Sequence, residues 1–154
     1  MKKFLFVLLL LQTFSFSLPA QERDFYIEIF PEKKVFKKGE IFTVKTSIMN
    51  VTPKEQRLCF WNCSYDQNWV LEDELKKVQL YGVACDKNVV SCITLLPMEK
   101  FEKELYLQVS DTAKRGKTSF KLGFMPCVSR EECFETESAN PEKFFSQEAV
   151  ITIR

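Results

Sequence analysis

The sequence predicts an all-β domain, built as an antiparallel sandwich of about seven to nine strands. Two observations predict this fold. Apolar and polar residues alternate over most of the chain, and turn-forming residues interrupt the alternation at short intervals. Alternation with a period of two is typical of strands that bury one face and expose the other. The length of 154 residues suits one domain and leaves no room for two well-built ones.

The alternation defines the individual strands. It is clearest in residues 25–29, 42–48, 105–109, 120–124 and 149–153. It is weaker in Arg57–Asn62, Lys77–Val83 and Val89–Leu95. The breaks between these segments carry proline or glycine, which favour turns. They include Pro31, Gly39, Pro53, Pro97 and Gly116.

Two stretches of the chain do not alternate. Leu71, Leu75 and Val78 stand at helical spacing, which indicates a short helical turn within Trp69–Val78. Residues 128–145 are polar and acidic, and we expect one long surface loop there, near the C-terminus. The chain shows no internal repeat and no linker, so residues 21–154 are predicted to form one domain.

The first 20 residues are typical of a secretory signal peptide. Met1-Lys2-Lys3 is a basic start, residues 4–11 are apolar throughout, and small residues follow as far as Ala20. Cleavage after Ser17 and cleavage after Ala20 both fit this pattern. The apolar run is too short to span a bilayer comfortably. We therefore expect an exported domain, periplasmic or secreted, with no membrane span after cleavage.

The charge of the predicted mature domain is close to zero. Removal of Lys2 and Lys3 leaves 20 basic residues against 21 acidic ones, a net charge of −1. A near-neutral chain argues against nucleic acid and against an anionic membrane as partners. The lysines within residues 33–38 form one basic cluster, but Glu32 and Glu40 flank it. We interpret the cluster as a solvated turn.

Six cysteines lie in the predicted mature domain. They are Cys59, Cys63, Cys85, Cys92, Cys127 and Cys133. An even number of cysteines behind an export signal indicates a disulfide framework, although the sequence alone cannot choose the pairing. Chain geometry favours Cys63–Cys85 and Cys59–Cys92 as links between two neighbouring segments. A local bridge between Cys127 and Cys133 would close the short polar loop between them.

A metal site or a redox site is the competing interpretation of these cysteines. Their spacings are C-x₃-C, C-x₆-C and C-x₅-C, whereas zinc sites favour closely spaced pairs such as C-x₂-C. A redox role would favour C-x-x-C, which is absent, and the chain has no histidine. We therefore expect no metal and no cofactor. Asp66 and Asp86 could together hold a cation, but an aspartate that caps a turn is much commoner.

Catalytic motifs are scarce in this sequence. The absence of histidine excludes Ser-His-Asp and Cys-His arrangements, and no glycine-rich phosphate-binding motif is present. The sequence therefore predicts that the protein is not an enzyme. Hydrolysis by a pair of carboxylates needs only two acidic residues and stays open as an alternative.

The segment Cys59–Trp69 concentrates the residues that most often carry binding energy. Trp61, Tyr65 and Trp69 lie there together with several amides, and tryptophan and tyrosine are enriched at interfaces. These three residues are the candidate partner-binding residues. The alternative is that the tryptophans are core aromatics packed over the disulfides. We favour that alternative for Trp61 and leave Trp69 open.

Two short motifs match the glycosylation sequon, Asn50-Val51-Thr52 and Asn62-Cys63-Ser64. Pro53 follows the first motif and Cys63 lies inside the second, which weakens both as glycan acceptors.

Three segments carry a resemblance to known domains. The run Lys38-Gly39-Glu40-Ile41-Phe42-Thr43-Val44 and the later Asn50-Val51-Thr52 resemble the opening of many bacterial immunoglobulin-like domains. Residues 95–101 resemble the later L-x-P-G-E turn of those domains, with Met98 in place of the usual glycine. The layout is also similar to the bacterial intracellular proteinase inhibitor family, which is cytoplasmic. The resemblance spans residues 25–153 and implies an immunoglobulin-like sandwich, but no functional residue.

The function expected from the sequence is that of an exported, disulfide-stabilised, non-enzymatic binding module. It would present loops to a protein or to an envelope component. Inhibition of an exported protease is the alternative that the layout resemblance suggests.

Overall fold

The computed structural model describes residues 24–63, 65–82, 88–127, 129–131, 133 and 142–154, without the side chains of Tyr65 and Asp66. The predicted signal peptide lies outside these residues. So do Cys85, Asp86 and most of the predicted loop 128–145.

The described residues form eleven strands and one helical turn. In chain order they are β1 (Phe25–Pro31), β2 (Val35–Phe36), β3 (Ile41–Asn50), β4 (Gln56–Trp61), α1 (Tyr65–Asn68), β5 (Trp69–Glu72), β6 (Val78–Leu80), β7 (Val90–Leu95), β8 (Lys100–Val109), β9 (Gly116–Phe124), β10 (Phe144–Phe145) and β11 (Ala149–Ile153). The number exceeds the expected seven to nine because several strands are very short. β2 and β10 have two residues each, which is too few to show a period.

The strands build an antiparallel β-sandwich, which confirms the predicted fold class. The first sheet has the order β1-β3-β8-β6, and the second has the order β10-β9-β11-β2. β5 pairs with β9 on the edge opposite to β10. The pair β11–β2 is parallel and the other strand pairs are antiparallel.

The strands β4 and β7 form a separate two-stranded ribbon that continues the central pair of the first sheet. The β3–β8 ladder ends with Met49 opposite Lys100, and the β4–β7 ladder starts with Gln56 opposite Leu95. Between the two ladders, one connection separates β3 from β4 and another separates β7 from β8. We call this double interruption the bend.

Asn50 holds this bend together from a fully buried position, with 0% of its surface exposed. Its amide nitrogen donates to the carbonyl oxygens of Lys54, at 2.7 Å, and Leu95, at 3.0 Å. Its amide oxygen accepts from the main-chain N–H of Thr52 at 2.9 Å and from the Thr52 hydroxyl at 2.8 Å. These bonds tie both connections to one side chain. They also leave Asn50 inaccessible as a glycan acceptor in the folded domain.

Phenylalanines from both sheets meet in the core. Phe42 of β3 contacts Phe36 of β2, with ring centroids 4.1 Å apart, and faces Phe120 of β9 at 6.4 Å. The inward positions of the alternating segments fill the rest of the core. The largest fully buried residues are Phe36, Phe42, Phe120, Phe124, Ile27, Ile48, Leu58, Leu105, Leu107, Leu122, Ile151 and Ile153.

The helical turn predicted within Trp69–Val78 is wrong. Trp69–Glu72 is the strand β5, and the helical turn lies just before it, at Tyr65–Asn68. The spacing of Leu71, Leu75 and Val78 was misleading because β5 pairs with β9, and this pairing supplies main-chain hydrogen bonds that a helix would otherwise form internally.

A tight turn follows β5 and is capped by Asp73. Its carboxylate accepts hydrogen bonds from the main-chain N–H groups of Leu75, at 2.9 Å, Lys77, at 2.6 Å, and Val78, at 2.7 Å. An aspartate that bonds to its own backbone a few residues on is a common way to stop a strand. The turn therefore brings the chain from the second sheet back to β6 in the first.

The prediction of a surface loop over residues 128–145 fits the exposed residues 130–131 and 142–143, but it is wrong for Cys133 and for Phe144–Phe145. Cys133 is buried, with 3% of its surface exposed. Phe144–Phe145 forms β10, and the Phe144 ring packs edge-on against Phe25 at 5.2 Å. The two apolar residues of β10 pair with β9 because they extend the edge that β11 occupies.

The turn between β7 and β8 places Met98 in the left-handed region of backbone conformation, with φ of 65°. Glycine is the usual residue there in the domains that this segment resembles. A side chain at this position costs about 1–2 kcal/mol because its Cβ crowds the following carbonyl oxygen. Met98 is 65% exposed, so packing returns little of this cost.

Met98→Gly is therefore expected to raise the free energy of unfolding by about 0.5–1 kcal/mol, after the greater flexibility of glycine in the unfolded chain is subtracted. Met98→Ala keeps the unfavourable φ and should change stability much less. Urea titration of the two variants measures the difference. Equal stability of Met98→Gly and Met98→Ala would contradict the strain at this turn.

Asn50→Ala is expected to lower the free energy of unfolding by about 3 kcal/mol, because it leaves buried main-chain groups without partners. The matched control is Asn62→Ala, which removes an exposed amide and should change stability by less than about 0.5 kcal/mol. Chemical denaturation followed by tryptophan fluorescence compares the two. Similar losses in both variants would show that the bend does not depend on Asn50.

Candidate functional site

The candidate site is the end of the sandwich where β4, β7 and the segment after β9 meet. We call it the disulfide end. It is formed by Cys59, Trp61, Asn68, Cys92, Cys127 and Cys133. The connections of this end are the one between β4 and α1, the one before β7 and the one after Cys127.

The bond between Cys59 and Cys92 joins β4 to β7, as predicted. The two residues lie opposite each other in the ladder, with Cα atoms 4.0 Å apart. The main-chain N–H and carbonyl of Cys59 bond instead to Cys127, at 2.9 and 3.1 Å. Cys59 and Cys92 are thus a non-hydrogen-bonded pair, the cross-strand position at which side chains lie closest. The ladder register therefore brings these two thiols within bonding reach.

A second disulfide joins Cys127 to Cys133, with Cα atoms 5.3 Å apart, and confirms the predicted local bridge. Both cysteines are buried against Cys59 and Val90. Cys63 is disulfide-bonded as well. Its predicted partner, Cys85, lies outside the described residues.

Asn68 fastens the helical turn to this cluster. Its amide oxygen accepts from the main-chain N–H of Trp61 at 2.6 Å, and its amide nitrogen donates to the carbonyl of Met125 at 2.8 Å. The main-chain N–H of Met125 bonds back to the Asn68 carbonyl at 2.8 Å. The side chain is buried, with 2% exposed. Sequence reasoning missed this residue, because an amide in a polar segment carries no local sign of burial.

The three candidate binding residues have different positions. Trp69 is 2% exposed and its ring packs against Phe124 at 4.9 Å, so it offers no surface to a partner. Trp61 is half-buried and packs against the cysteine cluster, the arrangement that the core alternative describes. Tyr65 begins α1, and its side chain lies outside the described residues. A role for Trp61 and Tyr65 in partner binding stays a prediction.

Lys103 supports the strand end next to Cys63. Its ammonium donates to the carbonyl of Asn62 at 2.8 Å and lies over the Phe60 ring, 5.4 Å from the centroid. Partial burial disfavours the charged form and lowers the pKa of Lys103. Lys103 therefore links β8 to Asn62, the residue directly before Cys63.

The described residues show no set of metal ligands and no helix suited to cross a membrane. Within them, no group of three or more histidine, cysteine, aspartate or glutamate side chains is placed to hold a metal ion. No helix in the same part of the chain is long and apolar enough to cross a bilayer.

Similarity to one solved structure, at a TM-score of 0.50, supports the fold. No family model matches the chain, and no curated protein matches it. Among solved structures, the sporulation control protein Spo0M from Bacillus subtilis is similar over 86% of this chain and 50% of its own, at 9% identity and a TM-score of 0.50. The FixG-related protein from Vibrio parahaemolyticus is similar over 86% of this chain and 98% of its own, at 12% identity and a TM-score of 0.46.

A third similar structure is alpha-2-macroglobulin from Escherichia coli, from domain MG7 to the C-terminus. The similarity covers 84% of this chain and 17% of the macroglobulin chain, at 13% identity and a TM-score of 0.45. At such identities a structural likeness shows the fold alone, so no activity or partner follows from these proteins.

The two disulfides are expected to stabilise the domain unequally. Loop-closure entropy predicts about 4 kcal/mol for Cys59–Cys92 and about 2 kcal/mol for Cys127–Cys133, because the first closes a much longer loop. Replacing each pair with alanines and measuring unfolding in guanidinium chloride tests the order. An equal or larger loss for the Cys127–Cys133 pair would show that local packing, rather than loop length, governs their contribution.

Proposed function

We propose that this chain is an exported binding module that presents the loops of its disulfide end to a protein or to another component of the cell envelope. The observation that carries the proposal is the buried cluster in which Cys59–Cys92 and Cys127–Cys133 cross-link three segments. Disulfides persist in oxidising compartments, which supports export.

The cross-links matter for binding because they restrict the loops before a partner arrives. A loop already held in its bound conformation loses less conformational entropy on association. Asn68 and Lys103 add hydrogen bonds between the same loops and the sheets. We infer that the immunoglobulin-like sandwich acts as a rigid scaffold and that recognition lies in the connections.

We propose a non-enzymatic role for this module. The chain contains no histidine, which removes the commonest general base and the usual nucleophile partner. The acidic side chains of the described residues form no group of three or more that could hold a catalytic metal. These observations favour recognition over turnover.

Photo-crosslinking in the producing cells tests the proposal. A benzophenone amino acid replaces Asn62, an exposed residue directly after Trp61, so that the packing of Trp61 is kept. We expect a covalent adduct of defined mass from this position. Adding Trp61→Ala should reduce its yield at least threefold if the tryptophan contributes to the contact.

The matched control carries the same amino acid at Tyr106, which is 37% exposed on the outer face of the first sheet. Equal adducts from both positions, or none from Asn62, would contradict binding through the disulfide end. A turnover activity of the purified protein that disappears with a single aspartate or glutamate substitution would contradict the non-enzymatic assignment.

A further inference from the structure

Three neighbouring strands of the second sheet end side by side in basic residues. In the ladders, Ile153 of β11 lies beside Phe36 of β2 and opposite Gly116 of β9. One residue further along each strand stands a cation. These three residues, Lys37, Arg154 and Arg115, are called the basic row. The main-chain N–H of Arg154 bonds to the carbonyl of Phe36 at 2.9 Å, so β11 and β2 are still paired where the row begins.

The side chains of the basic row are exposed to solvent at one end of the sheet. Phe36 and Ile153 are each 1% exposed and point into the core, so the residues that follow them point outward. All three cations of the row are exposed. Neighbouring strands lie about 4.8 Å apart, and like charges directly opposite one another are destabilising. The row is therefore an unfavourable arrangement until an anion lies over it.

Internal acidic groups neutralise the row only in part, because the Glu40 carboxylate interacts with the charge of Lys37. The ion pairs of the described residues are Lys33–Glu40, Lys45–Glu104 and Lys100–Glu28. Within the described part of the chain, the side chains of Lys37, Arg115 and Arg154 form no ion pair of this kind. The charges of Arg115 and Arg154 are therefore available to a ligand.

A depression of about 530 Å³ opens beside the row and gives an anion a place to bind. It is lined by Lys33, Val35, Phe36, Lys37, Lys38, Gly39, Glu40 and Arg154. Four of these residues are cations and one is an anion. Lys38 adds a further exposed ammonium to those of the row.

Glu40 shows that this depression stabilises an ionised carboxylate. It accepts hydrogen bonds from the ammonium of Lys33 and from the main-chain N–H of Lys37, the latter at 2.6 Å. These bonds hold the pKa of Glu40 below its usual value, with the Lys33 bond as the largest cause. Glu40 forms an ion pair with Lys33 and also attracts the charge of Lys37, whereas Arg115 and Arg154 stay available to a second anion.

We propose that the basic row and its depression bind a negatively charged polysaccharide that carries sulfate or phosphate groups. Three cations at strand spacing match a chain of repeating anionic groups better than a single small ion. The site is separate from the disulfide end, because β9 begins at the row and runs toward Cys127. The proposal therefore does not rest on the proposed function.

Other polyanions fit the site less well. Single-stranded nucleic acid binds on exposed aromatic platforms, but the one ring that lines the depression, Phe36, is buried. A membrane surface is bound by basic residues together with inserted apolar ones, but the apolar residues of the lining are the half-buried Val35 and the buried Phe36. An acidic peptide added as a strand needs a longer edge than the two residues of β2.

Heparin, a sulfated polysaccharide, serves as the probe with the full exported protein. The row variant combines Lys37→Glu, Arg115→Glu and Arg154→Glu. The control variant combines Lys45→Glu, Lys54→Glu and Lys143→Glu, which changes the net charge by the same amount at exposed lysines outside the row. Circular dichroism establishes that each variant is folded before binding is measured.

We expect the row variant to bind heparin at least tenfold more weakly than the unsubstituted protein at 50 mM salt, and the control variant to stay within threefold. The slope of log affinity against log salt concentration should fall by about two to three in the row variant, because up to three charge contacts are lost. Arg154→Gln alone should give an intermediate loss.

Three outcomes would overturn the proposal. The first is that the unsubstituted protein does not bind heparin at low salt. The second is that the row and control variants lose affinity equally, which would indicate a bulk charge effect. The third is that a single-stranded oligonucleotide or an anionic phospholipid vesicle binds more tightly than heparin and that this binding depends on the row. Such a result would assign the site to that ligand instead.

Discussion

The bend at Asn50 is the constraint on which the rest of the domain depends. There the β3–β8 pair is interrupted and continues as β4–β7, and an interrupted ladder leaves main-chain groups that need new partners. The Asn50 side chain bonds three of them, in Thr52, Lys54 and Leu95, from a fully buried position. The disulfide end lies beyond this bend, so its position relative to the sheets is decided here.

β9 is the second element that relates distant parts of the molecule. It pairs with β5 on one edge and with β10 and β11 on the other, and the chain that follows it bonds to Cys59 of β4. Its nine residues span about 30 Å at strand rise. The basic row lies at its start and the cystine cluster lies beyond its end. The basic row and the disulfide end thus differ in chemistry. The basic row is cationic, whereas the disulfide end is built from cystines and an aromatic residue.

Sequence reasoning succeeded where the environment of a residue in the fold follows from the residues next to it in the chain. Period-two alternation located the long strands, and the resemblance to known turns marked Met98 as a position where glycine is usual. The structure shows a positive φ there. It failed within Trp69–Val78, because apolar residues three or four apart fit both a helix and a short strand followed by a turn. It also missed Asn68, since the burial of a polar residue depends on what the fold brings around it.

The amino-acid sequence by itself determined the all-β architecture and the inward-facing residues, because these follow from local periodicity. It favoured the pairing of Cys59 with Cys92, which the register of β4 and β7 then decided. Only the tertiary structure decided that Trp69 is a core residue. It also decided that Lys37, Arg115 and Arg154 lie side by side. The physical reason is that strand order is a non-local property. Residues that are far apart in the chain become neighbours only when the sheet has formed.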